Sequence, residues 1–221
     1  MGILMLEAQF PRILGDMGNA ESFPFPVRYK VVRGASPDLV VLKGAPGLLA
    51  DFIAAGRELV ADGCAGITTN CGFLALYQEE LAEALGVPVM TSSLMQAGLV
   101  QSVLPKGKTV GILTISKGSL TQAHLDGAGV PAGVPLWGVE EGCHFQEVIL
   151  GGGLELDVAR AERDMVGAAE RFVSAYPELG AILFECTNMP PYADAVKEAV
   201  GLPVFSSLSM AGWFYEGLKG L

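Results

Sequence analysis

Short apolar runs alternate along the chain with longer stretches whose apolar residues recur at helical spacing. The runs at 2–7, 27–33, 65–69, 88–91, 109–114, 134–138, 181–185 and 203–206 are mostly continuous rather than alternating, which is how strands buried on both faces read. Between them, helical patterns span about 46–61, 73–85, 94–104, 118–127, 143–150, 154–175, 189–199 and 208–219, most followed within a few residues by Gly or Pro. Those residues stop helices by adopting left-handed backbone or by removing an N–H. Repeated strand–helix units of this kind predict an α/β fold with parallel sheets and helices on both faces.

The pattern occurs twice. Displaced by 115 positions, Cys71 falls on Cys186, Tyr77 on Tyr192, Glu83-Ala84 on Glu198-Ala199, Gly86 on Gly201, Pro88-Val89 on Pro203-Val204 and Ser92 on Ser207, without a gap. A second echo, displaced by 109, places Gly2-Ile-Leu4 on Gly111-Ile-Leu113. Two similar α/β lobes are expected, residues 1–95 and 96–207, with shared features facing one interface. The crossing falls within 95–108, and no Gly/Ser-rich linker separates the halves. The connection 10–27, which contains Phe23-Pro-Phe-Pro26, is long for a compact domain and reads as a cover over a site.

Composition narrows the class. The chain has 221 residues, 51% of them hydrophobic, ample for packed cores. Against 24 Asp and Glu stand 14 Lys and Arg, a formal net charge of -10, and no stretch gathers basic residues to neutralise phosphates, so nucleic acid is not an expected partner. Each apolar run is broken by Gly, Pro or a charge before it reaches about 18 residues, so no membrane span is expected. The opening Met1-Gly-Ile-Leu-Met-Leu-Glu7 has no basic segment and is short for a secretory signal, giving a cytoplasmic expectation.

The four cysteines, Cys64, Cys71, Cys143 and Cys186, include no Cys-x-x-Cys pair, and only His124 and His144 are at hand to complete a metal set. Neither a disulfide framework nor a metal site is indicated. No phosphate-binding glycine loop opens a helix after a strand, and Gly151-Gly-Gly153 follows a helical pattern, so it reads as a helix stop. The expected chemistry is free of cofactor and metal.

Cys71 and Cys186 occupy one station, just past a buried strand, in Ile67-Thr-Thr-Asn-Cys71-Gly72 and Ile182-Leu-Phe-Glu-Cys186-Thr-Asn188. Ligands of open parallel sheets bind outside the carboxyl ends of the strands. Each thiol would also lie near the start of the next helix, where unpaired N–H groups favour thiolate. Related lobes facing each other would bring the two sulfurs to opposite walls of one cleft. That arrangement can take a proton from one face of a carbon and return one to the other. Cys64 and Cys143 read as packing residues, and the two histidines as surface or helix-end residues.

These residues resemble the aspartate/glutamate/hydantoin racemase superfamily, whose members use paired cysteines without a cofactor. The resemblance rests on Asp62-Gly-Cys-Ala-Gly-Ile-Thr-Thr-Asn-Cys71 and Glu185-Cys-Thr-Asn-Met-Pro190, with Val110-Gly-Ile-Leu-Thr-Ile-Ser116 similar to the strand and loop opening the second lobe. It implies two flavodoxin-like lobes related by a pseudo-twofold, the active site between them, and a C-terminal helix, 208–221, returning to the first lobe. Carried over by position, Cys71 and Cys186 are the acid/base pair. Asn70, Gly72, Thr187 and Asn188 are donors to a substrate carboxylate, Thr114 and Ser119 lie in a second carboxylate-binding loop, and Glu7 is a contact for an α-amino or ureido group. Donors at the carboxylate stabilise the charge that grows when the α-proton leaves.

The chain departs from the named branches: Glu7-Ala-Gln stands where glutamate racemases carry Asp-Ser-Gly, and Asn188 where they carry His. The function so implied is a racemase or epimerase of an amino acid, or of a related α-substituted or hydantoin-like acid, through a thiolate/thiol pair. An isomerase or decarboxylase of the superfamily, a non-catalytic two-lobe binder of small acids and a thiol redox sensor remain as alternatives. A homo-oligomer stays open.

Overall fold

The apolar runs that open the two halves become central strands, β1 (Gly2–Leu6) and β5 (Thr109–Thr114), nearly every residue of which is buried. The computed structural model describes residues 1–220; Leu221, the last residue of the expected C-terminal helix, lies outside the described residues. The first half continues with β2 (Arg28–Val32), α1 (Leu49–Ala61), β3 (Ile67–Thr69), α2 (Gln78–Leu85), β4 (Val89–Met90) and α3 (Ala97–Val103). After β5 come α4 (Gln122–Gly127), β6 (Leu136–Gly138), α5 (His144–Gly151), α6 (Val158–Ala175), β7 (Leu179–Phe184), α7 (Ala193–Val200), β8 (Val204–Phe205) and α8 (Ser207–Leu218).

Two four-stranded sheets result, in the orders β2-β1-β3-β4 and β6-β5-β7-β8, and every strand pair is parallel. This is the expected two-lobe α/β architecture, with matching sheet orders in the two lobes. The repeat is visible residue by residue: displaced by 115, α2 coincides with α7 and β4 with β8. Both helices end on a glycine in left-handed conformation, Gly86 at φ 64° and Gly201 at φ 68°, a conformation that a side chain would strain.

Several boundaries differ from those the pattern predicts, each for a local reason. The stretch after each cysteine begins as a tight 3₁₀ turn, Gly72–Tyr77 and Pro190–Tyr192, before the α-helix proper. The helix expected from 118 starts at Gln122, because Thr121 is extended and caps it together with the His124 ring. The helix expected from 154 starts at Val158, where the Asp157 carboxylate accepts the Arg160 N–H. A single wide turn at Asp38–Leu42, which the pattern does not predict, buries Val40 and Val41.

The 10–27 segment is ordered by burial of Met17 and Phe23 against Ile3, Met5 and Ala211. On its far side Phe25 stacks on Tyr215 of α8, ring centroids 4.0 Å apart. Gly66, just before β3, leaves room for Phe214 and Leu218 of α8, and Ala211 packs with Ile3 and Met5 of β1, so α8 lies over the inner strands of the first sheet. The main core runs continuously through both halves, including Leu4, Ile67 and Leu74 of the first and Ile112, Leu183 and Phe184 of the second. Among the described residues no helix is long and apolar enough to cross a membrane.

Candidate active site

The carboxyl ends of β1, β3, β5 and β7 converge on one narrow cavity with an empty volume of about 350 Å³, including its open mouth. Cys71 and Cys186 both line it, from the two lobes, together with Asn70, Gly72, Thr187 and Asn188. Those six expected residues are brought together. Thr114 stands behind the wall, its hydroxyl donating to Glu185 Oε2 at 2.8 Å. Ser119 and Glu7 stand apart. The Ser116 hydroxyl donates to that of Ser119 at 2.9 Å. The exposed Glu7 accepts the Gly34 N–H at 2.8 Å and borders a different groove with Lys30 and Glu58. Neither Glu7 nor Ser119 reaches the cavity, because the chain after β1 turns its Glu7 side chain toward β2 and the Ser119 side chain is held within its own loop.

Most side-chain donors around the cysteines are engaged in building the site. Asn70 Oδ1 accepts the Leu6 N–H at 2.8 Å, tying β3 to β1. The Thr187 hydroxyl donates to the carbonyl of Asn70, joining the two cysteine loops across the lobe interface. Asn188 Oδ1 accepts from Cys186 Sγ at 3.5 Å, while its amide donates to Asp16 Oδ2 at 2.6 Å. Asp16 is in turn held by Arg12 at 3.1 Å and by the Gly18 N–H at 2.6 Å. The 10–27 segment is thereby latched onto the second cysteine loop, and its Phe10 and Arg12 line the cavity.

Electrostatics correct one expectation. Burial pushes the Cys71 thiol up to about 12, and the nearby Glu185 charge adds to the effect; the Phe73 and Leu74 N–H groups and Arg12 oppose it without winning. Cys186 is raised well above the ordinary thiol range, first by burial and then by Glu185. The expected thiolate at a helix start is therefore not favoured in the empty site: the two N–H groups at Cys71 and the one at Cys186 do not offset removal of the sulfur from water. Cys64 packs in the core and Cys143 precedes α5, both outside the cavity. Among the described residues no three His, Cys, Asp or Glu side chains gather as a metal set.

Sequence reasoning missed Glu185, Arg12 and Asp16. Glu185 is 1% exposed, lines the cavity and is pushed up to about 7 by burial, with the Thr114 hydroxyl and Ile115 backbone holding it down. Its signal was in the sequence: an acid closes the apolar run Leu179–Phe184 at the repeat position of Asn70. Gly72 is explained by the same residue, since a Cβ there would collide with Glu185 Oε1 and its backbone oxygen. Arg12 and Asp16 lie in a loop with no periodicity, and only the folded chain brings them here.

No family model matches the chain. Among curated proteins it is 30% identical to dimethylsulfoniopropionate lyase 7 of Emiliania huxleyi (strain CCMP1516) over 230 residues, covering 99% of this chain and 67% of that protein. It is 29% identical to a dimethylsulfoniopropionate lyase of Durusdinium sp. clade D, covering 98% and 74%. Against dimethylsulfoniopropionate lyase 3 of Emiliania huxleyi the identity is 32%, and the chain spans 57% of that protein's length. Among solved structures, a mutant of arylmalonate decarboxylase superposes with a TM-score of 0.65 at 18% identity, covering 100% of this chain and 94% of that one. Picrophilus torridus aspartate racemase superposes with 0.61 at 14% identity, covering 98% and 93%, and allantoin racemase from Pseudomonas fluorescens with 0.59 at 15%, covering 99% and 90%. The chain has the fold of arylmalonate decarboxylase and of the aspartate and allantoin racemases, and it belongs to the family of the dimethylsulfoniopropionate lyases.

Proposed function

We propose that this protein is a lyase that removes a proton α to the carboxylate of a small acid and expels a sulfide from the β-carbon, with dimethylsulfoniopropionate as the substrate to test first. The observation that carries the reading is the cavity where a thiol from each lobe meets beside Arg12 and the first turns of both cysteine loops. A thiolate of Cys71 or Cys186 takes the α-proton. The C–H electrons form the Cα=Cβ bond, and the Cβ–S bond breaks with its pair leaving on sulfur. Dimethyl sulfide and acrylate are the products, and the thiol returns its proton to solvent. Arg12 and the N–H groups of the cysteine loops hold the carboxylate, where charge accumulates as the proton leaves. The lyase relatives supply the choice of leaving group, and the absence of Glu7 from the cavity removes the contact expected for an α-amino group.

Racemisation or epimerisation is the second reading, favoured by two thiols at equivalent stations on one cavity. The readings differ in what they demand of the cysteines. Elimination needs one base, whereas exchange of handedness needs a base and an acid on opposite faces. With dimethylsulfoniopropionate the protein is expected to release dimethyl sulfide and acrylate in equal amounts. Of Cys71→Ala and Cys186→Ala, at least one should lose release by about 10³-fold or more. Absence of release from the unaltered protein, with α-deuterium exchange into both hands of a chiral acid in heavy water, would move the assignment to racemase.

A further inference from the structure

The cavity contains a carboxyl that the proposed chemistry does not use. Glu185 has no ion-pair partner among the described residues, and only neutral groups meet its carboxyl there, the Thr114 hydroxyl at Oε2 and the Ile115 backbone. Its other oxygen, Oε1, lies over the Cα of Gly72, which lines the cavity. The wall beside it is apolar, with Val41, Phe73, Ile115, Ile149 and Leu150. The cavity's one basic side chain, Arg12, arrives from the 10–27 segment. It bears on the Cys71 thiol but is not among the groups that shift Glu185. An uncompensated carboxyl in an apolar box is unfavourable unless something positive joins it.

We infer that Glu185 is the specificity residue of this site and receives the cationic centre of a zwitterionic acid whose carboxylate is held toward Arg12. The inference rests on the proposed function and names the substrate class of that site: a short carboxylate bearing a fully alkylated onium. An ammonium with N–H groups would need several acceptors, and the apolar wall offers one carboxyl; an alkylated onium presents only carbon to that wall and its charge to Glu185. The same cation offsets the burial and the Glu185 charge that keep Cys71 and Cys186 as thiols. The base is thus formed when the proper substrate is present.

The test uses a pair of equal shape, 3-(trimethylammonio)propionate and 4,4-dimethylpentanoate, which differ only in N⁺ against C and carry no sulfonium. Titration calorimetry on the unaltered protein is expected to show the onium binding at least about tenfold tighter than its neutral-carbon counterpart. Glu185→Gln, isosteric and uncharged, should bring the ratio to within about twofold, and Glu185→Asp should keep a preference for the cation. Equal binding of the pair by the unaltered protein, tighter binding of the carbon analogue, or a preference unchanged in Glu185→Gln would overturn the inference. Because the unaltered protein alone can give the overturning result, a poorly folding variant does not protect it. Because neither ligand can eliminate dimethyl sulfide, failure of the lyase reading is seen separately, in the product assay.

Discussion

A carboxyl buried between two buried thiols limits how much negative charge the cavity holds at once. Each of Cys71 and Cys186 is raised partly by Glu185, so ionising a thiol opposes ionising the acid. At pH 8 a thiol at about 12 is ionised in about one molecule in 10⁴, and alkylation of Cys71 in the empty site should accordingly be slow. Glu185 carries a stability consequence of its own. Its folded value of about 7 lies above the ordinary 4.5, so the folded state holds a proton that the unfolded chain releases. The stability this proton provides is complete below about 4.5 and lost as pH rises through 7, an effect of roughly 3 kcal/mol. Glu185→Gln removes that dependence. Its melting temperature relative to the unaltered protein should be higher at pH 8 than at pH 4.5, as scanning calorimetry at both values would show; an equal difference at both would contradict the buried, cation-free acid.

At the scale of elements, the 10–27 segment meets the second cysteine loop through the Asp16 side chain and through the Met17 N–H, which donates to the Thr187 carbonyl. Asp16, 2% exposed, accepts from Arg12, Gly18 and Asn188. Asp16→Ala leaves the Asn188 amide donor and the Arg12 guanidinium without their acceptor, at about 1–3 kcal/mol. The segment keeps its apolar anchors, Met17 and Phe23, so loosening should be local. Limited proteolysis followed by mass mapping is expected to cut the variant within 10–27 faster than the unaltered protein, and iodoacetamide should reach Cys186 sooner. Unchanged cleavage with unchanged labelling would mean that the apolar anchors and the Met17–Thr187 backbone hydrogen bond hold the cover without Asp16. The length of this connection was legible in the sequence, but its attachment was not. Asp16 and Asn188 are 172 residues apart, and neither sits in a periodic pattern.

At the scale of the whole molecule, the two sheets share one continuous core and are bridged by Thr187 with Asn70 and by Ser93, whose hydroxyl donates to the Phe184 carbonyl at 2.7 Å. Gly127 of α4 lies so close to the Ala75 carbonyl that a Cβ would not fit. Lobes packed this closely should unfold together. The two tryptophans report on different places, Trp137 on β6 beneath Phe172 and Trp213 on α8. Fluorescence of Trp137→Phe and of Trp213→Phe, each leaving one reporter, should give coincident urea midpoints once corrected for each variant's own stability by circular dichroism. Separate midpoints for fluorescence and dichroism within either variant would show the lobes melting independently.

The sequence alone determined the parts of this protein that depend on local periodicity: the strands, the helices between them, the repeat at 115 positions and the two cysteine stations it relates. Buried parallel strands must be apolar throughout, helices must end where backbone freedom or a missing N–H ends them, and both constraints are written within a few residues. Tertiary structure alone decided what surrounds the sulfurs. Whether a thiol near a helix start is ionised depends on how much water the other lobe and the 10–27 segment remove, and here burial outweighs the local dipoles. Arg12 and Asp16 join the site from a distant loop, Glu7 leaves it with its carboxylate on the Gly34 N–H, and Glu185, packed against Gly72, has no ion-pair partner among the described residues. Desolvation and long-range contacts have no period in the sequence, which is why only the folded chain could fix them.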